Sequence, residues 1–184
     1  IKNIMEYENK RNSEFHLIVI WEHGRYAEKE IEKRIKENLK VIQTFLITWS
    51  PYLVNRNYAR FYGANLPDNS QKEVYAGRGE FKLYVVQDEF PKYQIRSTSK
   101  GNDEVNVNLF DLKTNLRILT GGGHKIHATN NSEEFRHDIV MLLGLSEEDF
   151  VKKYCNQPRN EIKIHRDVTG ALGWKSLSEL FYVL

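Results

Sequence analysis

Residues 15–49 read FHLIVIWEHGRYAEKEIEKRIKENLKVIQTFLITW. Within them Leu17-Ile18-Val19-Ile20 is short, continuous and rich in β-branched side chains, the pattern of a buried strand, which predicts strand over residues 15–21. Ala27, Ile31, Ile35 and Leu39 then recur every four residues among Glu and Lys, as on an amphipathic helix. Residues 41–49 return to strand. Working outward, residues 52–62 are aromatic-rich and helical or irregular. Residues 63–79 hold Pro67, Asp68-Asn69 and three glycines, and read as loop. A third strand is expected over residues 81–86, a turn at 88–91, a short extra strand over 93–98 and a turn at 99–103. A helix over residues 109–119 stops at Gly121. Asn131, with Glu134 three residues on, gives a capping-box start to a helix ending near Leu143. Ser146 and Asp149 mark a last short helix over 147–154.

Strand, helix, strand, strand, helix, short strand is the split βαβ arrangement of a ferredoxin-like βαββαβ sandwich. The expected class is α+β: an antiparallel sheet with helices on one face and an extra C-terminal segment. Residues 1–13 form a polar lead-in, 14–155 the main domain and 156–184 a tail of separate character. The apolar end, Leu180-Phe181-Tyr182-Val183-Leu184, reads as the start of a further domain in a longer protein.

Composition narrows the function. Forty percent of the 184 residues are hydrophobic, enough for a sizeable core. A net charge of +2 gives no broad basic field and no strong case for nucleic acid. The single cysteine, Cys155, excludes an internal disulfide and fits a reducing, cytoplasmic setting; it reads as a packing residue. No apolar run is long enough to span a membrane, and no signal peptide is visible.

The chemistry concentrates in residues 121–139, GGGHKIHATNNSEEFRHDI. Phe135, Ile139 and Leu142 share a helical face, and Asp138 falls on the same stripe. A carboxylate on an inward face needs a partner, and His127, held just before the helix, is the nearest candidate. Glycines and a helix N-terminus in front of it favour phosphate. Lys113 and Arg117, one turn apart on the preceding helix, point the same way and suit a phosphate clamp or a solvated basic face. His124 and His127 are too few for a zinc site. The triglycine has neither the spacing nor the lysine of a Walker loop.

Residues 126–139 resemble the active-site segment of nucleoside diphosphate kinases, in which Ile-His-Gly-Ser-Asp-Ser leads into a helix carrying an acidic residue before isoleucine. Ile126-His127-Ala128-Thr129-Asn130-Asn131 and Asp138-Ile139 fall in register without a gap. Residues 15–24 are also similar to the family's first strand, and the likeness covers about residues 14–155. The resemblance implies the same ferredoxin-like fold, with His127 as phosphate acceptor, Thr129 as the neighbouring hydroxyl and Asp138 orienting the ring. Tyr58-Ala59-Arg60-Phe61-Tyr62 resembles the segment that holds base and phosphate. Trp21 stands where the family has a phosphate-binding lysine, His124 stands for an asparagine, and Thr-Asn-Asn replaces Ser-Asp-Ser.

The expected activity is phosphoryl transfer from a nucleoside triphosphate through phosphohistidine, with Mg2+ carried by the nucleotide and no protein-held metal. Tyr58, Arg60, Lys113, Arg117 and His124 are the expected nucleotide and phosphate contacts. The alternative is a catalytically degenerate nucleotide-binding or interaction domain of a larger protein. A homo-oligomer stays open.

Overall fold

The computed structural model describes residues 12–63 and 71–170. Its central sheet has five strands, β1 (Glu14–Ile20), β2 (Lys40–Thr48), β3 (Phe81–Asp88), β6 (Ile126–Ala128) and β7 (Glu161–His165), in the order β6-β1-β3-β2-β7. The first four are antiparallel neighbours in the ferredoxin-like order, and β7 adds to the edge parallel to β2. A hairpin of β4 (Tyr93–Thr98) and β5 (Gly101–Asn106) stands apart as a second sheet. No helix among the described residues is long and apolar enough to cross a membrane.

The two crossover helices, α1 (Glu28–Asn38) and α4 (Val107–Leu119), cover one face. Ile31 and Ile35 join Leu109, Leu112 and Leu116 there, against Ile18, Ile20, Tyr84 and Val86. The opposite face is covered too, which corrects the one-faced arrangement expected from the sequence. α2 (Val54–Tyr62), α5 (Ser132–Leu143) and α6 (Glu147–Tyr154) pack there on Leu17, Val19, Phe45, Leu83 and Val85. The physical reason lies in β1, where every residue from Leu17 to Ile20 is buried. A strand apolar on both sides has no solvent face, so each side demands a layer.

The short helices follow their caps. The Asn131 side chain accepts the Glu134 N–H, and Glu134 in turn accepts the Asn130 N–H at 2.8 Å. Ser146 does the same for Asp149 at the start of α6. Two segments read as irregular are ordered elements: α3 (Gln71–Ala76) lies in the expected loop, and β5 begins inside the expected 99–103 turn, leaving Ser99-Lys100 as the turn.

The described part of the tail packs on this domain. β7 pairs with β2, Val168 sits in the core, and Asp167 ties the chain back to the start of α2. Its carboxylate accepts the Ser50 N–H at 2.8 Å, the Ser50 hydroxyl at 2.7 Å and the Asn57 amide at 2.8 Å. Burial pushes this carboxyl up, but the bonds from Ser50 and Asn57 hold it below its ordinary value. Asp167→Ala is expected to cost about 2 kcal/mol in urea denaturation at pH 7, reduced from the full value of three charged bonds by partial exposure. A carboxylate with a depressed pKa stabilises above the ordinary carboxylate range, so the difference between the proteins is expected to shrink as pH falls through the acid range.

Candidate active site

His127 sits at the centre of β6, the edge strand beside β1, opposite Val19. Alternation along the strand sends Ile126 and Ala128 into the α1/α4 layer and His127 to the other side, towards α2 and α5. Phe61 and Tyr62 meet its ring edge-on, at centroid distances of 5.1 and 5.7 Å. From α5, the Asp138 Oδ2 lies 2.7 Å from His127 Nε2. Asp138 is 3% exposed, so this bond is made out of water. Nδ1 of His127 has no hydrogen-bond partner among the described residues. With Nε2–H given to the carboxylate, the lone pair lies on Nδ1.

The other carboxylate oxygen is also taken. His137 Nδ1 donates to Asp138 Oδ1 at 2.9 Å, so one carboxylate serves two imidazoles. Burial drives Asp138 towards protonation, but bonds from His127 and His137 outweigh it and keep the carboxyl below its ordinary value. His137 is raised by the same bond, against partial burial. Sequence spacing does not mark His137, because adjacent helix residues do not share a face; here Asp138 points inward and the exposed His137 ring folds back to it.

Lys113 and Arg117 do work together, both donating to the edge strand β6. β6 is the last strand of the sheet, and its outward carbonyls need donors. Arg117 Nε and Nη2 donate to the Ile126 carbonyl at 3.1 and 3.0 Å, and Lys113 Nζ donates to the Ala128 carbonyl at 3.2 Å and to Asn130 Oδ1 at 2.6 Å. Lys113 is buried and fully committed to holding the strand; burial first and Arg117 second push its pKa down to about 8. Arg117 is half-buried and keeps further N–H groups.

The remaining expected residues divide. Thr129 turns away from His127: its buried hydroxyl lies 2.9 Å from His16 Nδ1 and accepts the Leu17 N–H at 3.1 Å. Tyr58 is core, donating its hydroxyl to the Gly77 carbonyl at 2.7 Å. Arg60 is half-buried on α2. His124 is exposed in the glycine turn, 6.3 Å from the Tyr75 ring; burial first, then Lys72 and Arg117, lower its pKa. Gly121, Gly122 and Gly123 all have φ between 73° and 79°, which only glycine adopts readily, and the Gly122 N–H closes on the Arg117 carbonyl at 2.8 Å. The run reverses the chain from α4 into β6. The start of α5, expected to attract phosphate, is already capped by Asn131 and Glu134.

Trp21 belongs to the core. It is fully buried among Trp49, Tyr58, Phe61, Tyr62 and Phe81, with the nearest ring centroid 4.7 Å away, and its indole N–H donates to the Tyr62 hydroxyl at 3.1 Å. The end of β1 is aromatic core.

Among the described residues, His127, Glu134 and Asp138 place donor atoms within 4.8 Å of one another. Nε2 and Oδ2 share a hydrogen bond, and Mg2+ prefers a shell of oxygens, so the set suits an orienting pair with Glu134 alongside better than a magnesium cage.

No protein-family model and no curated protein matches the chain. Solved structures similar to it include nucleoside diphosphate kinase of Aquifex aeolicus, 13% identical over 75% of this chain and 99% of that one, with a TM-score of 0.47. The enzyme from Encephalitozoon cuniculi is 13% identical over 72% and 90%, with a TM-score of 0.44. That from Borrelia burgdorferi, solved with vanadate and ADP, is 12% identical over 80% and 94%, with a TM-score of 0.44.

A lysine at the end of β1 is expected to harm the protein. Trp21→Lys empties the centre of the aromatic cluster and puts an ammonium into it, a loss of about 3–5 kcal/mol from the cavity alone. Thermal denaturation checks this; an unchanged midpoint would show that Trp21 is dispensable to the core.

Proposed function

We propose that this chain is a nucleotide-binding phosphotransferase that carries a phosphoryl group on Nδ1 of His127. The observation that carries the reading is the 2.7 Å bond between His127 Nε2 and a buried carboxylate, with the other ring nitrogen unpartnered among the described residues. That is the arrangement of an activated nucleophile: one nitrogen fixed by a carboxylate, the other left open. The resemblance of residues 126–139 to the histidine segment of nucleoside diphosphate kinases supports the same assignment.

In the first half-reaction the Nδ1 lone pair attacks the γ-phosphorus of a nucleoside triphosphate. The bond from that phosphorus to the β–γ bridging oxygen breaks, and its electron pair leaves on the nucleoside diphosphate. The ring becomes a phosphorylated imidazolium that still holds its proton at Nε2, where Asp138 balances the charge in a low-dielectric setting. An acceptor oxygen then attacks the same phosphorus and returns the electron pair to Nδ1. Arg117 and His124 would contact the phosphates, and Lys113 keeps β6 in place beneath the reacting ring. Magnesium, when bound, would neutralise the phosphate oxygens and is expected to ride on the nucleotide.

A second reading, a nucleotide-binding interaction domain without transfer, is favoured by one observation: Trp21 is committed to the core where the related enzymes have a lysine. Incubation with Mg·ATP or Mg·GTP separates the two. Wild type is expected to gain one phosphate, stable in alkali and lost in acid, by intact mass. His127→Ala should abolish the gain and His124→Ala should reduce it at most. Asp138→Asn should slow it roughly 100-fold, as loss of an orienting base does. Nucleotide binding without any mass gain would leave the interaction-domain reading.

A further inference from the structure

Lys72 lies in a stretch whose glycines, proline and asparagines read as loop, and nothing in its sequence spacing marks it. The structure puts it on α3, with its Nζ 3.7 Å from the centroid of the Tyr62 ring. Tyr62 is the ring that meets His127 at 5.7 Å. The ammonium is therefore set over the ring adjoining the candidate nucleophile.

Its surroundings are unusual for a lysine. Lys72 is half-buried, and among the described residues it has neither an ion pair nor a hydrogen bond; its close contact is the π-face of Tyr62. The charged groups acting on it and its neighbours come from every side. Arg117 of α4 repels it, and together they act on His124 of the glycine turn. Glu134 and Asp138 of α5 act on Tyr62 between them. Asp138 is committed to two histidines and Glu134 to the Asn130 N–H, so neither carboxylate pairs with Lys72. Lys72, Arg117 and His124 thus act on one another, and among the described residues no carboxylate pairs with Lys72. Burial first, and Arg117 second, push the Lys72 ammonium down to about 8. A cation gathered with like charges and partly removed from water is relieved by an anion of several charges.

We infer that Lys72, with Arg117 and His124, forms a polyphosphate-binding pocket beside His127, in which Lys72 supplies the ammonium that the aromatic core excludes from the end of β1. Its assignment to the phosphates of a nucleotide rests on the phosphotransfer reading; the anion pocket itself does not. A lysine suits the task as a mobile point charge, while Arg117 is partly held by the Ile126 carbonyl.

Calorimetric titration with inorganic tripolyphosphate, free of nucleoside and metal, tests the pocket apart from the chemistry. Wild type is expected to bind at pH 7, and Lys72→Met, which keeps the apolar stem over Tyr62, to bind at least tenfold more weakly. Lys72→Arg should retain binding. Raising the pH from 7 to 9 should weaken wild type by discharging the ammonium, while Lys72→Arg holds its affinity. Urea midpoints of both variants serve as the folding control. Failure of wild type to bind tripolyphosphate, or binding by Lys72→Met within twofold of wild type, overturns the pocket. Lys72-dependent binding without phosphorylation of His127 by a nucleoside triphosphate would instead uphold the pocket and sink the transfer reading.

Discussion

Everything in this molecule depends on β1 being buried on both sides. Leu17 and Val19 face one layer, Ile18 and Ile20 the other, and none of them reaches solvent. Water can be excluded from both faces only if helices lie on each, so the two crossovers α1 and α4 cannot complete the fold alone. α2, α5 and α6 are the second layer. That layer brings Asp138 within 2.7 Å of a histidine on the neighbouring edge strand. The same burial that stabilises the sheet thus removes water from the pair, which strengthens the bond between carboxylate and imidazole.

An edge strand is an exposed place to mount a reactive side chain, because its outward carbonyls would attract water or another strand. Lys113 and Arg117 resolve this by donating to alternate carbonyls of β6. Their one-turn spacing on α4 was legible in the sequence; their target was not. Two carbonyls projecting from an edge and two phosphate oxygens present similar acceptors at similar spacing, and helical periodicity cannot tell them apart. The strand order, with β6 outermost, commits Lys113 and one edge of Arg117 to carbonyls, while Arg117 keeps further N–H groups.

The same division runs through the rest of the sequence reading. The βαββαβ order was legible because the long elements carry strong periodicity, and the His127–Asp138 pair because an inward carboxylate demands a partner. Two-sided coverage was present in the unbroken run Leu17–Ile20, although one-sided coverage was expected of the sandwich. β5 was not legible: Gly101-Asn102-Asp103-Glu104 has little strand propensity, and pairing with β4 makes it a strand. α3 was hidden for the opposite reason, since six residues are too few to show a helical period. Thr129 lies just past the end of β6, where strand alternation no longer fixes its side, and its hydroxyl meets His16 rather than His127.

The aromatic cluster links core and site. Trp21 fills the end of β1, and its indole N–H fixes the Tyr62 hydroxyl at 3.1 Å. Tyr62 is thereby held between the core on one side and His127 on the other, with its π-face left for the Lys72 ammonium. The tryptophan at the end of β1 therefore does more than fill the core. It builds the surface on which a different lysine, from a helix with no marked sequence signature, comes to rest near the histidine. Charge at the site is then set by packing, because the rings choose where a cation can stand and the buried carboxylate chooses which imidazole nitrogen stays open.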